Sequence, residues 1–472
     1  MCIRDRWYTS RRVDIRLTPS SVSKVTNVNL YKKLLERSAD KNPIRVALIG
    51  AGKFASMYLA QVPKTPGVHI VAIADINPQN ALNNLNRIGW AKEKCSAQSI
   101  DDAVRSGATW LTDDWIKAIS DPRIDIVIEA TGNPPSAVEH IIEAFSNKKH
   151  VVNVTVEADA LCGPQLAKLA QQHGVIYSLA YGDQPALICD LVDWARSAGF
   201  EVVSAGRGHK WMPHFAQSTP DTVWGHYGLT PEQAERGGLN PKMFNSFLDG
   251  SKPAIETVAV CNATGLHAPI DGLTYPSGSI EDIPNLMRPK AEGGCLAERG
   301  QVEVVSSLDG SGLPIPYDIR FGVWVVFEGD TSYIRNCFEE YGVKTDDSGR
   351  YASLYKRWHL IGLEVGISVA SVGLRSEPTG SPTGFRADVM AVAKKDLNVN
   401  DVLDGEGGYT VVGQLAPAKK SLGLNALPLG LAHGLKLKSS IKAGSPVTWA
   451  DVEFDEGAAA VDIRRAMESE YQ

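Results

Sequence analysis

Six residues, Gly50-Ala51-Gly52-Lys53-Phe54-Ala55, constrain this chain more than any others. They follow a short apolar, β-branched run, Ile44–Ile49, and precede Met57, Leu59, Ala60 and Val62 at helical spacing, so they read as strand, tight turn, helix. A G-x-G-x-x-[GA] turn at that junction suits a pyrophosphate: the first glycine makes the turn, the second admits the phosphates, and Ala55 lets helix and strand pack closely. The helix start offers free N–H groups and the positive end of its dipole. Asp75 stands 23 residues after Gly52, at the end of the next apolar run, where a carboxylate can bind ribose hydroxyls. Gly50, Gly52, Lys53, Phe54, Ala55 and Asp75 are therefore the expected dinucleotide-binding residues.

The alternation of strand and helix continues. Apolar runs at 124–130, 149–154 and 175–179 predict further parallel strands, and the first ends in Thr131-Gly132-Asn133, three residues placed to face the nicotinamide half of the crevice. The fold expected is α/β: a Rossmann-type doubly wound parallel sheet over 29–180, then an α+β catalytic domain over 181–384. In the latter a helix is predicted at 186–198, with strands at 200–205, 301–307 and 322–328. The polar, proline-rich stretch 276–300 is long for a connection and is expected to be a lid or an interface arm, which makes a homodimer the expected assembly. From 385 a weak repeat, with copies around Ala393–Leu403 and Lys438–Val447, predicts a small all-β module to 456, followed by a tail over 457–472.

Bulk properties exclude several classes. A formal charge of -6, with Lys and Arg spread along the chain, gives no basic surface for nucleic acid. The longest apolar runs fall far short of the ~20 residues that cross a bilayer, so no membrane partner is expected. Seven widely spaced cysteines without a CxxC pair suit a reduced, cytoplasmic compartment. Residues 1–28, rich in Arg and Ser without an apolar core, are expected to be an unstructured or adventitious extension.

The turn at Gly50, with His150-Val151-Val152-Asn153-Val154 and the helix after it, resembles the nucleotide domain of homoserine dehydrogenases. That family carries a catalytic lysine after this strand, and the segment here, Asn153 to Asp159, has none. Further on, Tyr181-Gly182-Asp183-Gln184-Pro185, Asn245-Ser246-Phe247-Leu248-Asp249-Gly250, Met287-Arg288-Pro289, the Lys356 to Glu364 segment and Gly405-Glu406-Gly407-Gly408-Tyr409-Thr410 resemble one family. It is that of the deoxyxylulose-phosphate reductoisomerase-like (DRL) oxidoreductases, with a homoserine-dehydrogenase-like NAD(P)-binding domain and a C-terminal SAF domain. The resemblance implies reduction of a sugar-phosphate or sugar-acid substrate by NADPH, with NADH as the alternative because Asp75 disfavours a 2′-phosphate. Members shown to be reductoisomerases convert 1-deoxy-D-xylulose 5-phosphate to 2-C-methyl-D-erythritol 4-phosphate, in isoprenoid biosynthesis. The other readings are a sugar-acid or sugar-phosphate dehydrogenase of carbohydrate catabolism and a non-catalytic nucleotide- or carbohydrate-binding protein.

Hydride transfer to a carbonyl needs a cation or acid at the developing alkoxide. Lys210, after a strand end, is the first candidate; Lys356 and His359, on one face if helical, follow. Glu364 and Asp249 could hold a hydroxyl or orient a cation, and Asp183 follows a strand end near the nicotinamide. Lys252, Arg288 and Arg320 are the expected partners of a phosphate or carboxylate, with Asn245 and Ser246 beside them. Isomerisation would call for a divalent metal such as Mg²⁺, for which no ligand spacing stands out.

Overall fold

Six parallel strands, β1 (Ile44–Ile49), β2 (Val68–Ala74), β3 (Trp110–Thr112), β4 (Ile126–Glu129), β5 (His150–Asn153) and β6 (Tyr177–Leu179), lie in the order β3-β2-β1-β4-β5-β6. This is the doubly wound order with its reversal between β1 and β4, where a crevice opens outside the carboxyl ends of the strands. The computed structural model describes residues 29–472; the expected extension lies outside them. The strands are apolar on both faces because helices cover both. Ala47, Ile49, Val127 and Val151 pack with Val138, Ile141 and Phe145 of the helix Pro134–Ser146, while Val46, Leu48, Ile126 and Ile128 meet Val365, Val369 and Val372 on the other side. The latter belong to the helix Gly366–Arg375 and the residue before it, so the chain returns to the first sheet after passing through the second.

The second sheet is mixed, in the order β10-β9-β7-β8, from β7 (Glu201–His209), β8 (Gln301–Ser306), β9 (Val323–Glu328) and β10 (Tyr351–Lys356). One face rests on the helix Gln184–Ser197, and the other is covered by 276–300: Ile280, Ile283, Met287 and Leu296 pack on Val203, Val305, Trp324, Val326 and Tyr351. The stretch expected to be a lid or arm is a cover instead. Its apolar residues, masked in the sequence by prolines and glycines, are committed to this face.

In the C-terminal region β11 (Ala387–Ala393) pairs antiparallel with β13 (Val411–Pro417), and β12 (Val402–Asp404), β14 (His433–Leu437) and β15 (Val452–Glu453) form a three-stranded sheet. The two repeat copies pair with each other: Leu397 and Ile441 exchange backbone hydrogen bonds of 2.8 and 2.9 Å. The module is not all β, since Ala418–Leu424 is a helix against β11 and β13. The expected tail is also a helix, Ala459–Tyr471, docked on the helices Pro134–Ser146 and Val156–His173. Its Arg464, wholly buried, pairs with Asp388 and Glu468 and donates to the Leu161 carbonyl, so its charge is compensated on every side. All six described cysteines are free thiols, and among the described residues no helix is long and apolar enough to cross a membrane.

Candidate active site

Gly50 adopts a φ of 91°, and a Cβ there would lie 2.6 Å from the Ala130 carbonyl oxygen, so only glycine fits. Around Gly52 a Cβ would meet nothing within 4 Å, and the helix Lys53–Leu59 starts with no side-chain cap, leaving room and free N–H groups for a pyrophosphate. Lys53 is exposed, Phe54 half-buried and Ala55 buried in the core, as close helix packing requires. Asp75 has a second role: its oxygens accept from Ala51 N (2.8 Å) and Asn77 N (2.9 Å), fixing the glycine turn from the end of β2.

After β4, Thr131 donates to the wholly buried Glu129 (2.5 Å), the Thr155 hydroxyl also donates to Glu129, and Gly132 N donates to Thr155 (3.0 Å). The Asn133 side chain caps the helix Pro134–Ser146 through Ser136 N (3.0 Å). Thr131 and Asn133 therefore shape this loop with their side chains, and Gly132, with open space around it, is the residue past which a ribose can approach.

Across the crevice stands the loop after β10. A Cβ on Gly362 would touch Met57 and Phe54 of the nucleotide-binding helix, so this loop joins the two sheets at the cofactor site. Lys356 is the last residue of β10 and His359 lies in the loop, so the two do not share a helix face. Lys356 pairs with Glu364 (2.5 Å) and lies over the Tyr181 ring. His359 faces the core of the site. Its Nδ1 is 2.7 Å from the Phe321 carbonyl, and its Nε2 is 3.0 Å from the Gln184 side-chain amide. The amide is best satisfied with its nitrogen on Asp183 Oδ1 (2.6 Å) and its oxygen towards Arg207 (3.1 Å) and His359. Both ring nitrogens then face acceptors, which suits the imidazolium, while burial and Arg207 pull the His359 pKa down. Burial pushes the Asp183 carboxyl up, against Lys252, His359 and Arg207.

Arg207, paired with buried Glu256, ties this centre to β7; burial brings its pKa down to about 10. Lys210, just past β7, donates to the His226 carbonyl (2.8 Å), and burial and the nearby Arg320 lower its pKa. Arg320 stacks on Phe321. An open cleft of ≈ 550 Å³ is lined by Arg320, Arg357 and His359, together with Asp318, Phe321 and Trp358. Among the described residues Lys210, Arg320 and Arg357 have no ion-pair partner.

Four expected residues lie elsewhere or are otherwise engaged. Arg288 pairs with buried Asp346 on the covered side of the second sheet, away from the cleft. Asn245 is wholly buried, donating to the Ser218 and Gly407 carbonyls and accepting from the Ser218 hydroxyl. Ser246 donates to the Met243 carbonyl. Asp249 takes Lys394 (2.7 Å) and Ser251 N (2.9 Å), and Lys394 also donates to Gly408 O, so this pair clamps the C-terminal module to the catalytic region. No group of three or more His, Cys, Asp or Glu among the described residues could hold a metal ion, so the expected divalent metal has no ligand set. Lys252 does reach the site, in an ion pair with Glu157 at the start of the helix after β5. Glu157, Gln184, Arg207 and Arg357 are the residues that motif reading passed over. Glu157 stood inside a segment read only for its missing lysine.

The sheet order and the glycine turn together define a Rossmann-type domain of the kind that holds a dinucleotide. Residues 44–181 match the oxidoreductase family NAD-binding Rossmann fold, and residues 182–365 match the oxidoreductase DRL catalytic domain. Together the two matches span 44–365, an NAD-binding Rossmann domain followed by a DRL-type catalytic domain. Homoserine dehydrogenase of Methanocaldococcus jannaschii is 41% identical over 68 residues, 13% of this chain and 20% of that protein. That of Synechocystis sp. is 38% identical over 65 residues, 14% of this chain and 15% of that protein, so the chain spans a fifth or less of these relatives. Among solved structures, 1-deoxy-D-xylulose 5-phosphate reductoisomerase from Zymomonas mobilis is 14% identical over 46% of this chain and 57% of its own, with a TM-score of 0.32. A probable dehydrogenase from Thermotoga maritima is 12% identical over 71% and 90%, with a TM-score of 0.36.

Proposed function

We propose that the protein transfers hydride between a nicotinamide dinucleotide and the carbonyl carbon of a small polyhydroxy substrate bearing a phosphate or carboxylate. The observation that carries this reading is the cleft where Arg320 and Arg357 stand without an ion-pair partner, with Lys210 close enough to Arg320 to feel its charge. Uncompensated cations that crowd one another call for an anion from the ligand, and guanidinium groups meet phosphate or carboxylate oxygens in pairs. Asp183, Gln184 and His359 at the neighbouring strand end suit the hydroxyl-bearing part.

For the dinucleotide, Gly50, Gly52 and the helix start at Lys53 hold the pyrophosphate, and it supplies hydride when bound. Asp75, with no basic residue directly after it, favours a free 2′-hydroxyl, so we read NADH ahead of NADPH. The test is to follow nicotinamide absorbance with each cofactor against 1-deoxy-D-xylulose 5-phosphate, other ketose phosphates and sugar acids. Turnover restricted to substrates with an anionic group supports the proposal; equal turnover of uncharged polyols overturns it. Formation of 2-C-methyl-D-erythritol 4-phosphate would place the enzyme among the reductoisomerases, and oxidation of a sugar acid among the catabolic dehydrogenases.

A further inference from the structure

A stacked aromatic pair stands just past the end of β7. The rings of Trp211 and Tyr275 lie 4.2 Å apart and 13° from parallel. Trp211 follows Lys210 in the chain, and its carbonyl accepts from the Ser306 hydroxyl at the end of β8 (2.7 Å). Tyr275 is 9% exposed and adopts a φ of 50°, a left-handed backbone that a bulky residue rarely takes. It is held there through Thr274, whose N–H (3.2 Å) and hydroxyl (2.7 Å) both donate to the wholly buried Glu303.

The polar ends of the two rings converge. A Cβ on Gly250 would lie 3.0 Å from the Tyr275 hydroxyl oxygen and 4.0 Å from Trp211 Nε1. Gly250, with a φ of 93°, opens the helix Ser251–Thr264 without a side-chain cap of its own, so the positive end of that helix lies at the same place. Its turn is pinned to β7, where His209 Nε2 is 2.7 Å from the Phe247 carbonyl. Neither ring spends its donor inside the protein: Trp211 Nε1 is buried with no acceptor, and among the described residues no hydrogen bond involves the Tyr275 hydroxyl. Folded proteins seldom leave buried donors unpaired, so two that converge call for an acceptor from outside the chain. The place suits a substrate. Lys252, two residues beyond Gly250, reaches Glu157 at the start of the helix after β5, while Lys210, one residue before Trp211, feels Arg320 of the cationic cleft.

We propose that Tyr275 and Trp211 form an oxygen-binding subsite for the substrate, in which the phenol and the indole N–H donate to one uncharged oxygen of a polyhydroxy chain. The inference rests on the substrate reading above: the anionic group sits at the cations, and this subsite takes an oxygen between that group and the nicotinamide. It thereby sets which carbon of the chain meets the cofactor. The indole N–H can only donate, which suits a carbonyl or hydroxyl oxygen and rejects an ammonium group. Burial and Glu303 push the Tyr275 phenol up, beyond the range in which it would ionise near neutrality, so it too stays a donor. The contact is hydrogen bonding alone, and no proton changes hands.

The test uses the full chain with nitrogen-labelled tryptophan and reads the indole N–H resonances by NMR as a pentitol phosphate or inorganic phosphate is added. The resonance absent from Trp211→Phe, which keeps a ring against Tyr275, identifies Trp211. It should move downfield with the pentitol phosphate and stay in place with inorganic phosphate, which brings no hydroxyl chain. In calorimetry Tyr275→Phe should bind the pentitol phosphate ~10-fold more weakly, with its affinity for inorganic phosphate and its melting temperature unchanged. A pentitol phosphate that binds without moving the Trp211 resonance, or that binds Tyr275→Phe as tightly as the unaltered protein, overturns the subsite and leaves the anionic substrate reading standing. Failure of both phosphates to bind overturns that reading, and the subsite with it.

Discussion

Two charged regions of the molecule are built on opposite principles. Around the cleft lined by Arg320 and Arg357, cations outnumber the single carboxylate on the wall, Asp318, and Lys210 stands close behind. At the end of β5 and β6, Lys252 is paired with Glu157 and has Glu406 and Asp183 near it, so carboxylates outnumber the cation. Lys252 shows the balance: burial opposes its charge, yet Glu157, Glu406 and Asp183 outweigh burial and raise its pKa. A region with excess cations suits a ligand's anionic group, and a region with excess carboxylates holds its lysine charged. Arg207 joins them, reaching Glu256 on one side and Gln184 on the other.

The contrast can be broken at that link. Arg207→Met should have the largest effect on stability, because Glu256 is left buried without its partner; a loss of about 3–5 kcal/mol in denaturant unfolding is expected. The same variant should raise the His359 pKa, seen in its ring proton shifts, because the guanidinium that lowers it has gone. Next in size, Gly52→Asp should weaken dinucleotide binding by ~100-fold or more in calorimetry through repulsion of the pyrophosphate, with an unchanged melting temperature, since a side chain there meets open space. Gly50→Ala should lower the melting temperature too.

The cationic end is sharpened by Arg320→Ala combined with Lys210→Ala. Loss of two phosphate contacts should raise KM for anionic substrates by ~10–100-fold and leave kcat for an uncharged analogue nearly unchanged. A collapse of kcat instead would put Lys210 at the reacting atoms.

A pH-dependent effect tests a buried acid behind the end of β5 and β6. Burial pushes the Asp159 carboxyl up to about 7, against the hydrogen bond from Tyr177. Its folded pKa lies above the unfolded value, so the protonated form contributes stability that is full below about pH 4 and lost as pH rises through 7. Asp159→Asn should therefore gain on the unaltered protein between pH 5 and pH 8, by at most about 4 kcal/mol, in paired melting curves. An unchanged difference across that range would place the Asp159 carboxyl at its ordinary pKa.

The first sheet was legible because its code is local. Gly50 and Gly52 answer a steric demand at one turn, and the apolar strands answer burial on two faces. Asp75 was legible by position, but its bonds to Ala51 N and Asn77 N show that the same carboxylate also serves the turn. Lys356 and His359 were found by residue type and placed on the wrong element, because a strand edge that runs into a loop carries no period of its own. The stretch 276–300 was misread since its apolar residues are irregularly spaced, dictated by the sheet they cover.

By itself the sequence determined a dinucleotide turn, a doubly wound sheet and the kinds of charged residue available for chemistry, because backbone geometry and hydrophobic period act over a few neighbours. Only the tertiary structure decided which charges are matched and which stand open. Glu157 and Lys252 are far apart in the chain, and their ion pair depends on a distance that packing alone sets.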